Sequence, residues 1–216
     1  MNDLTLLVIA KEPRPGRVKT RLQRGCSPEE AAALARAALA DTLATGLAVP
    51  AARRVLVLEG AVGDWLPGGY EVVAQEGDAL DERIAAAFAG VSGPAVLVGM
   101  DTPQFTPELL APVTRVGAWD AVDAYVGGAV DGGFWALGLA VPDPALVRGV
   151  AMSRPDTGEL QRRRLYGAGL RVAELAELRD VDTPEDVGLV AGLCQPGSLF
   201  AELAGRMVAF SGEGAA

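Results

Sequence analysis

Six basic side chains lie within residues 11–24, directly after the first apolar run of the chain. With one acid, Glu12, this segment carries a local charge of +5. Lysine and arginine gathered in one loop can neutralise and orient phosphate groups. The segment therefore predicts a site for a di- or triphosphate; a solvated loop or a patch for another anionic partner is the alternative. The candidate phosphate-binding residues are Lys11, Arg14, Arg17, Lys19 and Arg21.

Two aspartates stand where the chain leaves apolar runs. Asp101 follows residues 95–100, and Asp182 lies in the acidic segment 180–182. The carboxyl ends of parallel strands meet at one edge of a sheet, where ligands bind. Carboxylate oxygens from two strand ends suit Mg²⁺ or Mn²⁺ bound partly by substrate phosphates. We predict both residues as metal ligands. The alternatives are a turn-forming role for Asp101 and an acid at a helix N-terminus for Asp182.

A third candidate is Asp131, which precedes the paired glycines Gly132 and Gly133. Paired glycines allow the backbone to approach a ligand closely or to make a tight turn. Asp131 is thus a candidate catalytic base or a hydrogen-bond acceptor for a sugar hydroxyl. An Asp-Gly hairpin turn between two strands explains the segment equally well.

The composition excludes several classes of protein. Histidine is absent, which rules out Ser-His-Asp and Cys-His catalysis and any His-ligated metal. The 28 acidic and 19 basic residues give a net charge of −9, which argues against a nucleic-acid polymer as partner. Cys26 and Cys194 form no metal-binding spacing and indicate reduced thiols in the cytoplasm. No signal segment and no uninterrupted apolar stretch of spanning length is evident, so we expect no membrane partner.

Apolar runs and helix signals alternate along the chain. Helix starts are predicted at Ser27 and Thr183, each followed by proline and then an acid at the third helical position. The predicted strands are residues 4–10, 54–58, 70–74, 95–100, 121–126, 134–140 and 170–174. The predicted helices are residues 27–46, 81–88, 107–116 and 159–167, one after Thr183 and one after Pro196.

This order of elements predicts an α/β sandwich with a mostly parallel sheet. No internal repeat or low-complexity linker divides the chain. We therefore expect one domain over residues 1–195, followed by a C-terminal helix and tail over residues 196–216. Oligomeric state is open between a monomer and a homodimer.

Six motifs in this order resemble the DUF2064 family of the nucleotide-diphospho-sugar transferase (GT-A) superfamily, described as glycosyltransferase-like. The similarity runs over residues 4–193. VKTRL also resembles the phospholactate guanylyltransferases, and VDTPED resembles the sugar-acid cytidylyltransferases. The motifs are AKEPRPGRVKTRL, SPEEAAALARAALADTL, VLVGMDTPQ, VDGGFWALGL, MSRPDTG and DVDTPEDV.

The resemblance implies a GT-A-like three-layer α/β/α sandwich and a set of site residues. Asp101 and Asp182 match the metal ligands of related enzymes. Gln75 and Asp78 lie where those enzymes have a nucleotide- or sugar-facing loop. Four cations match the phosphate-binding loop, namely Lys11, Arg14, Lys19 and Arg21. This chain departs from the family in residues 127–129 and in the charges of residues 153–158, which are expected to line the acceptor pocket.

Two transfer reactions fit these residues. In glycosyl transfer from a nucleotide-diphospho-sugar, the metal and the basic loop neutralise the leaving diphosphate, and Asp131 deprotonates a small-molecule acceptor. In nucleotidyl transfer from a nucleoside triphosphate, Lys19 and Arg21 stabilise charge on the α-phosphate and on pyrophosphate. The family resemblance favours glycosyl transfer, whereas the loop charge of +5 suits a triphosphate. A non-catalytic nucleotide-binding protein is the third hypothesis.

Overall fold

The computed structural model describes residues 3–213, with side chains as far as Met207. Seven strands form one sheet in the order β3-β2-β1-β4-β6-β5-β7. β6 runs antiparallel to its neighbours β4 and β5, and every other pair is parallel, so the predicted mostly parallel sheet is confirmed. The bounds are β1 Thr5–Lys11, β2 Arg53–Glu59, β3 Glu71–Ala74, β4 Ala95–Gly99, β5 Ala124–Ala129, β6 Phe134–Leu139 and β7 Val172–Leu178.

Helices cover both faces of the sheet, as the alternating side chains of β1 require. Leu6 and Val8 belong to a core cluster that includes Leu39 of α1. Leu7 points to the opposite face and belongs to a cluster with Phe88 of α2. The three-layer α/β/α sandwich is therefore confirmed. The helices are α1 Pro28–Ala48, α2 Leu80–Ala89, α3 Ala111–Thr114, α4 Thr157–Gly167, α5 Pro184–Ala191 and α6 Leu199–Glu213.

The strand order reverses between β1 and β4, and this point positions the site. β1 pairs with β2 on one side and with β4 on the other, both in parallel. The loops that follow β1 and β4 therefore leave the same edge of the sheet and open a crevice between them. The carboxyl ends of β5 and β7 reach that edge as well, because both run parallel to β4.

The predicted start of α1 is confirmed by a capping box. The Ser27 side chain accepts a hydrogen bond from the Glu30 amide, and the Glu30 carboxylate accepts one from the Ser27 amide. Pro28 occupies the first helical position, where a missing amide hydrogen costs nothing. Local chemistry therefore fixes the residue at which this helix starts.

Among the described residues, α1 is the one helix whose length and hydropathy would suit a membrane span. Over its most apolar 18 residues the mean hydropathy is 1.2, although no uninterrupted apolar stretch runs through the helix. Of this 18-residue segment, 56% is buried inside the protein. Leu39 and Leu43 contact the sheet, and Leu34 packs in a cluster with α5 and α6. The buried contacts are those of a core helix.

The predicted helix over residues 107–116 is wrong in type and length. The chain forms a 3-10 turn over Pro107–Leu110 and then the four-residue α3. Pro112 lies inside this segment and cannot donate a backbone hydrogen bond. A regular helix through residue 112 would therefore lose a hydrogen bond in its first turns.

β5 begins and ends three residues later than the predicted strand over residues 121–126, and it includes Gly127 and Gly128. The strand covers Ala124–Ala129, so Gly127 and Gly128 are paired residues of the sheet. A side chain at Gly127 would lie 2.5 Å from the indole nitrogen of Trp135. The glycine is needed for the close approach of this indole.

The predicted C-terminal helix is present as α6, and it packs on α1 and α5. Phe200 and Ala204 are buried in a cluster with Leu34 and Val190. The domain boundary at residue 195 stays a prediction, since α6 shares this core with the preceding helices. Residues 208–216 of the predicted apolar face and tail lie outside the side chains that the structure describes.

Candidate functional site

A cleft of about 650 Å³ opens at the carboxyl edge of the sheet, between the ends of β1 and β4. On one side its wall carries the charged side chains of the basic loop and of Asp101, Asp131 and Asp182. On the other side, between the sheet and α2, the wall is apolar. The apolar side is formed by Ile9, Leu80, Ile84, Leu97, Phe134 and Met152.

Lys19 lies at the centre of the charged side. Its ammonium nitrogen is 2.8 Å from Oδ1 of Asp101 and 3.1 Å from Oδ1 of Asp182, and its side chain is only 7% exposed. Burial by itself would lower the pKa of Lys19, but the charges of the two aspartates outweigh it and hold the pKa above its ordinary value. Two carboxylates from different strand ends therefore share one cation.

The other cations of the loop divide between the cleft and the surface. Arg17 and Arg21 line the cleft, and Arg21 also reaches Oδ2 of Asp182 at 3.3 Å. Lys11 lines the cleft but pairs with Glu59 of β2 at 3.4 Å. Arg14 does not line the cleft: it pairs with the adjacent Glu12 at 2.6 Å.

Backbone contacts hold Asp101 and Asp182 at the same edge. The carbonyl of Asp101 accepts a hydrogen bond from the Val181 amide at 3.0 Å, which ties the end of β4 to the segment after β7. Asp186 accepts hydrogen bonds from the amides of Asp182 and Thr183, and so caps the start of α5. Because Asp186 satisfies the helix start, the Asp182 carboxylate is left to face the cleft.

Asp180 joins this group, although we did not assign it a role from the sequence. Burial first, and then the charges of Asp101 and Asp131, raise the pKa of Asp180 to about 8. Its Oδ1 is buried without a hydrogen-bond partner among the described residues. The signal in the sequence is the Asp180-Val181-Asp182 spacing, in which the middle residue is 1% exposed and the two acids flank it.

Asp131 occupies a turn and also borders the cleft. Its Oδ1 accepts a hydrogen bond from the Gly133 amide at 2.8 Å, as expected of the hairpin alternative. The same residue lines the cleft, as expected of the functional alternative. The turn is held by the start of α4, because the Gly158 amide in its first turn donates to the Gly132 carbonyl at 2.8 Å.

The loop before α4 contributes a further cation to the mouth of the cleft. Arg154 and Ser153 both line it. The Arg154 guanidinium forms two hydrogen bonds with Asp156, at 2.8 and 3.1 Å. This pair lies within residues 153–158, the segment that the sequence resemblance predicts to line the acceptor pocket.

Gln75 and Asp78 occupy different surroundings. Gln75 lines the cleft, but its amide group donates to the backbone carbonyls of Ala10 and Val57 and accepts from Arg83. Its side chain thus joins the ends of β1 and β2. Asp78 is exposed and does not line the cleft.

The apolar side of the cleft has open space above the end of β4. A side-chain carbon added at Gly99 would meet no atom within 4 Å. Ile9 lies beside Gly99 in the parallel pairing of β1 with β4. The cleft therefore offers an apolar chamber next to a cluster of charges, which is the form of a site for an amphiphilic small molecule.

A family model described as "uncharacterized protein conserved in bacteria (DUF2064)" matches residues 33–154, more than half of the chain. The chain belongs to the DUF2064 family. The match covers Asp101 and Asp131, whereas the basic loop and Asp182 lie outside it. No curated protein matches this DUF2064 chain.

Solved structures of nucleotide-linked transferases have the same fold. A candidate nucleotide-diphospho-sugar transferase of Desulfovibrio desulfuricans G20 is 26% identical, with a TM-score of 0.81 over 95% of this chain and 98% of that one. A CMP:2-keto-3-deoxy-manno-octonic acid synthetase in complex with CTP is 13% identical, with a TM-score of 0.54 over 88% and 97%. The 2-C-methyl-D-erythritol 4-phosphate cytidylyltransferase of Thermus thermophilus is 18% identical, with a TM-score of 0.52 over 87% and 96%. The last two show the fold alone.

The carboxylate oxygens at the cleft of the DUF2064 chain fit a divalent ion whose remaining coordination positions are filled by the substrate. Among the side chains described, no three His, Cys, Asp or Glu residues form a group able to hold a metal by themselves. The carboxylates of Asp101 and Asp182 nevertheless both contact the Lys19 ammonium. The nearby Asp180 has an Oδ1 atom without a partner among the described residues, and its carboxyl group interacts electrostatically with both aspartates. Hard oxygen ligands of this kind suit Mg²⁺ or Mn²⁺, with phosphate oxygens or water in the remaining positions.

Proposed function

We propose that the protein is a metal-dependent glycosyltransferase that uses a nucleotide-diphospho-sugar donor. One observation carries the proposal: Lys19 and Arg21 meet Asp101 and Asp182 within one cleft at the strand-order reversal. That edge of an open α/β sheet is where ligands bind. The relative from Desulfovibrio desulfuricans, similar over nearly its whole length, supports this class of donor.

The diphosphate of the donor would lie against the basic loop. Arg17, Lys19 and Arg21 line the cleft and can donate charge-assisted hydrogen bonds to phosphate oxygens. The nucleoside would extend into the apolar chamber beside Gly99, where flat apolar surface can cover a base or a ribose. Gln75 would border that chamber through its fixed amide, and Asp78 is a candidate only for a longer donor that reaches the surface.

We propose Mg²⁺ or Mn²⁺ as the cofactor, held by Asp101 and Asp182. Bound there, a divalent ion supplies positive charge that stabilises the leaving diphosphate. Lys19 and Arg21 would add to that stabilisation. The absence of histidine is consistent with this chemistry, because cations and carboxylates carry it without an imidazole.

Asp131 is our candidate for the base. One oxygen is fixed by the Gly133 amide, which orients the carboxylate at the edge of the cleft. Its other oxygen would accept the proton of an acceptor hydroxyl as the glycosidic bond forms. The loop of residues 153–158, with Arg154 at the mouth, would contact the acceptor.

Nucleotidyl transfer is the second candidate, in which a nucleoside triphosphate and an acceptor give a nucleotide-linked product and pyrophosphate. The neighbour in complex with CTP shares the fold and favours a triphosphate site. The positions of the cations favour a diphosphate instead. Arg14 is outside the cleft and Lys11 is paired with Glu59, so the charge available to a ligand is smaller than the +5 of the loop.

The reaction products separate these candidates. The protein would be incubated with Mn²⁺, a panel of nucleoside triphosphates and nucleotide-diphospho-sugars, and a panel of small acceptors that carry hydroxyl or phosphate groups, with water as the acceptor in the control reactions. We expect a nucleotide-diphospho-sugar to raise the melting temperature and to release free nucleoside diphosphate. Pyrophosphate release from a triphosphate would instead establish nucleotidyl transfer. If nucleotides bind but no product forms, the protein is a non-catalytic nucleotide-binding protein.

Matched variants assign the activity to this cleft. Asp101→Asn removes a proposed metal ligand and should abolish product formation at any tested Mn²⁺ concentration. Glu159→Gln removes an exposed acid of α4, paired with Arg163 of the same helix, and should leave turnover unchanged. Equal turnover in both variants would contradict the proposal.

We also propose a cytoplasmic location and a small-molecule acceptor. Cys26 and Cys194 are both free, which suits a reducing compartment. The cleft would hold a donor and one small acceptor rather than a polymer. Gel filtration with light scattering would decide between the monomer and the homodimer.

A further inference from the structure

We infer that Lys19 is a built-in competitor of the divalent cation: its ammonium lies between Asp101 and Asp182, so binding of the metal there must displace Lys19 toward the phosphates of the substrate. The inference rests on the proposed function for the identity of the ligands. It assigns Lys19 a second position and makes binding of the metal and of phosphate mutually dependent.

The distances establish the competition. The Lys19 nitrogen is 2.8 and 3.1 Å from one oxygen of each carboxylate. Mg²⁺ requires its oxygen ligands at about 2.0–2.1 Å. An ion bound to those same two oxygens would lie so close to the ammonium that two positive charges would share one buried position. Their repulsion is large at such a separation, so one cation must leave.

Lys19 is held in its present position by these contacts rather than by its backbone. Its φ angle is +49°, in the left-handed region that residues other than glycine rarely adopt. Its side chain makes its ion pairs with residues 82 and 163 positions away, not with its own loop. Once the two carboxylates bind another cation, the contacts that offset this backbone strain are lost.

The displaced ammonium has a destination in the same cleft. Lys19 borders it together with Arg17 and Arg21, and Arg21 also pairs with Asp182. A metal on Asp182 would thus weaken the hold on two cations at once. Because binding free energies are linked, the two ligands must strengthen each other's binding equally. The factor by which a phosphate group that draws Lys19 away raises the affinity for the metal equals the factor by which the metal raises the affinity for phosphate.

Lysine reactivity tests the movement directly, because the chain has two lysines, Lys11 and Lys19. The full-length protein would be treated briefly with an acetylating reagent, with and without Mg²⁺ and without nucleotide, and each site quantified by peptide mass spectrometry. We expect Lys19 to be protected without Mg²⁺ and to become at least about fivefold more reactive with it. Lys11, which is half exposed beside Glu59, should react equally in both. Unchanged protection of Lys19 at saturating Mg²⁺ would overturn the inference.

Metal affinity gives an independent test. Mn²⁺ binding without nucleotide would be measured by electron paramagnetic resonance for the native protein, Lys19→Met and Lys11→Met. We expect Lys19→Met to bind Mn²⁺ at least about tenfold more tightly, because it no longer competes. Lys11→Met removes the same charge from the same cleft and should stay within about twofold of the native protein. An equal gain in both variants, or no gain in Lys19→Met, overturns the inference.

These readouts are separate from the proposed function. If the protein catalyses no transfer but Lys19 is released by Mg²⁺, the competition stands and the proposed reaction fails. If transfer occurs while Lys19→Met binds Mn²⁺ no better than the native protein, the reaction stands and the competition is refuted. A folded state of Lys19→Met is checked by its melting temperature, which Mn²⁺ should raise more than it raises that of the native protein.

Discussion

Asp180 is half-buried close to Asp101 and Asp131, and its Oδ1 atom is buried without a hydrogen-bond partner among the described residues. An unpartnered buried carboxyl group costs stability, because it has lost water without gaining a hydrogen bond. Lys19 forms ion pairs with both Asp101 and Asp182, and these pairs offset the cost for those two carboxylates. No cation among the described residues forms an ion pair with Asp180. Its burial among like charges is a feature of a binding site rather than of a core optimised for stability.

Asp180→Asn should therefore stabilise the protein. The amide is neutral at every pH and can donate a hydrogen bond to a neighbouring carboxylate. In EDTA at pH 8 we expect the melting temperature to rise by about 2–4 °C, which corresponds to about 1 kcal/mol for a chain of this size. Asp182→Asn is the control and should lower the melting temperature, because it breaks the pairs with Lys19 and Arg21. A lower melting temperature in Asp180→Asn would show that its carboxyl group is satisfied.

The sequence predicted the types of the site residues better than their partners. Asp101 could be found because it follows a buried run at a strand end, and Asp182 because it lies in an acidic segment between a strand and a helix start. Lys19 could be assigned only to a phosphate loop, since its pairing with Asp182 joins residues 163 positions apart. Arg14 was assigned to the same loop, but its pairing with Glu12 turns it away from the cleft, and spacing alone does not reveal such a pair.

At the scale of elements, two loops hold each other at the cleft. Gly132 has a φ angle of +89°, and a side chain there would lie 1.9 Å from the carbonyl oxygen of Pro155. The contact joins the turn between β5 and β6 to the loop before α4. Asp131 and Arg154 are carried by these two loops, so their spacing depends on a glycine that contacts no ligand.

Gly132→Ala should disturb both loops. Gly169→Ala is its control, because Gly169 has a φ angle of +78° but no atom within 4 Å of an added side chain. Both variants suffer the backbone strain, and only Gly132→Ala adds a clash. We expect it to lose about 1–3 kcal/mol more of the free energy of unfolding in urea than the control does. Equal losses would mean that the loops adjust without cost.

A carboxylate of α1 caps the start of α6. Asp41 accepts hydrogen bonds from the hydroxyl of Ser198 and from the amides of Leu199 and Phe200. These are free amides at a helix start, and a charged acceptor satisfies them well. The packing of Phe200 against α1 depends on this cap.

Asp41→Ala should loosen α6. We expect a loss of about 1.5–3 kcal/mol in the free energy of unfolding, since charge-assisted hydrogen bonds are broken. Faster hydrogen exchange should be confined to α6 and its neighbours in α1 and α5. Ser27→Ala, which removes the cap of α1, should cost about 1 kcal/mol without freeing α6. Protection of α6 equal to that of the native protein would contradict this assignment.

The elements themselves could be predicted in type more reliably than in pairing. The starts of α1 and α5 follow from local cap chemistry, and the buried strands follow from apolar runs. The antiparallel insertion of β6 between β4 and β5 could not be predicted, because both faces of these strands are covered and periodicity carries no information on neighbours. Pro112 was the available signal against a regular helix over residues 107–116.

At the scale of the whole molecule, cationic partners hold many carboxylates in their charged form. At the end of the sheet opposite the cleft, Arg171 donates two side-chain hydrogen bonds and its backbone amide to Asp123, which joins the start of β7 to β5. These bonds hold the pKa of Asp123 far below its ordinary value. Other carboxylates that have a cationic partner and a lowered pKa are Glu12, Glu59, Glu71, Asp156 and Asp186.

Stability should therefore fall in acid. A carboxylate with a lowered pKa in the folded state adds stability above its unfolded pKa of about 4, and this stability is lost as the pH falls below that value. We expect Asp123→Asn to be less stable than the native protein at pH 7, with the difference shrinking as the pH falls from 4 toward 2. Urea unfolding at several pH values would measure it. A difference that is independent of pH would mean that the contact is not electrostatic.

The charge of the molecule is also unevenly distributed, with cations gathered at the cleft of a chain whose net charge is −9. We propose that this arrangement attracts a nucleotide phosphate and that the metal strengthens the attraction. Asp101, Asp182 and the basic loop would then form one nucleotide site. Calorimetric titration of nucleoside diphosphates with and without Mn²⁺ tests it most directly, in the native protein, Asp101→Asn, Arg21→Met and the surface control Glu159→Gln.

We expect at least one nucleoside diphosphate to bind the native protein and Glu159→Gln with equal affinity. Mn²⁺ should raise its affinity at least about tenfold, Asp101→Asn should abolish that gain, and Arg21→Met should weaken binding with or without Mn²⁺. Failure of every nucleoside diphosphate to bind, or an undiminished Mn²⁺ effect in Asp101→Asn, would contradict the account.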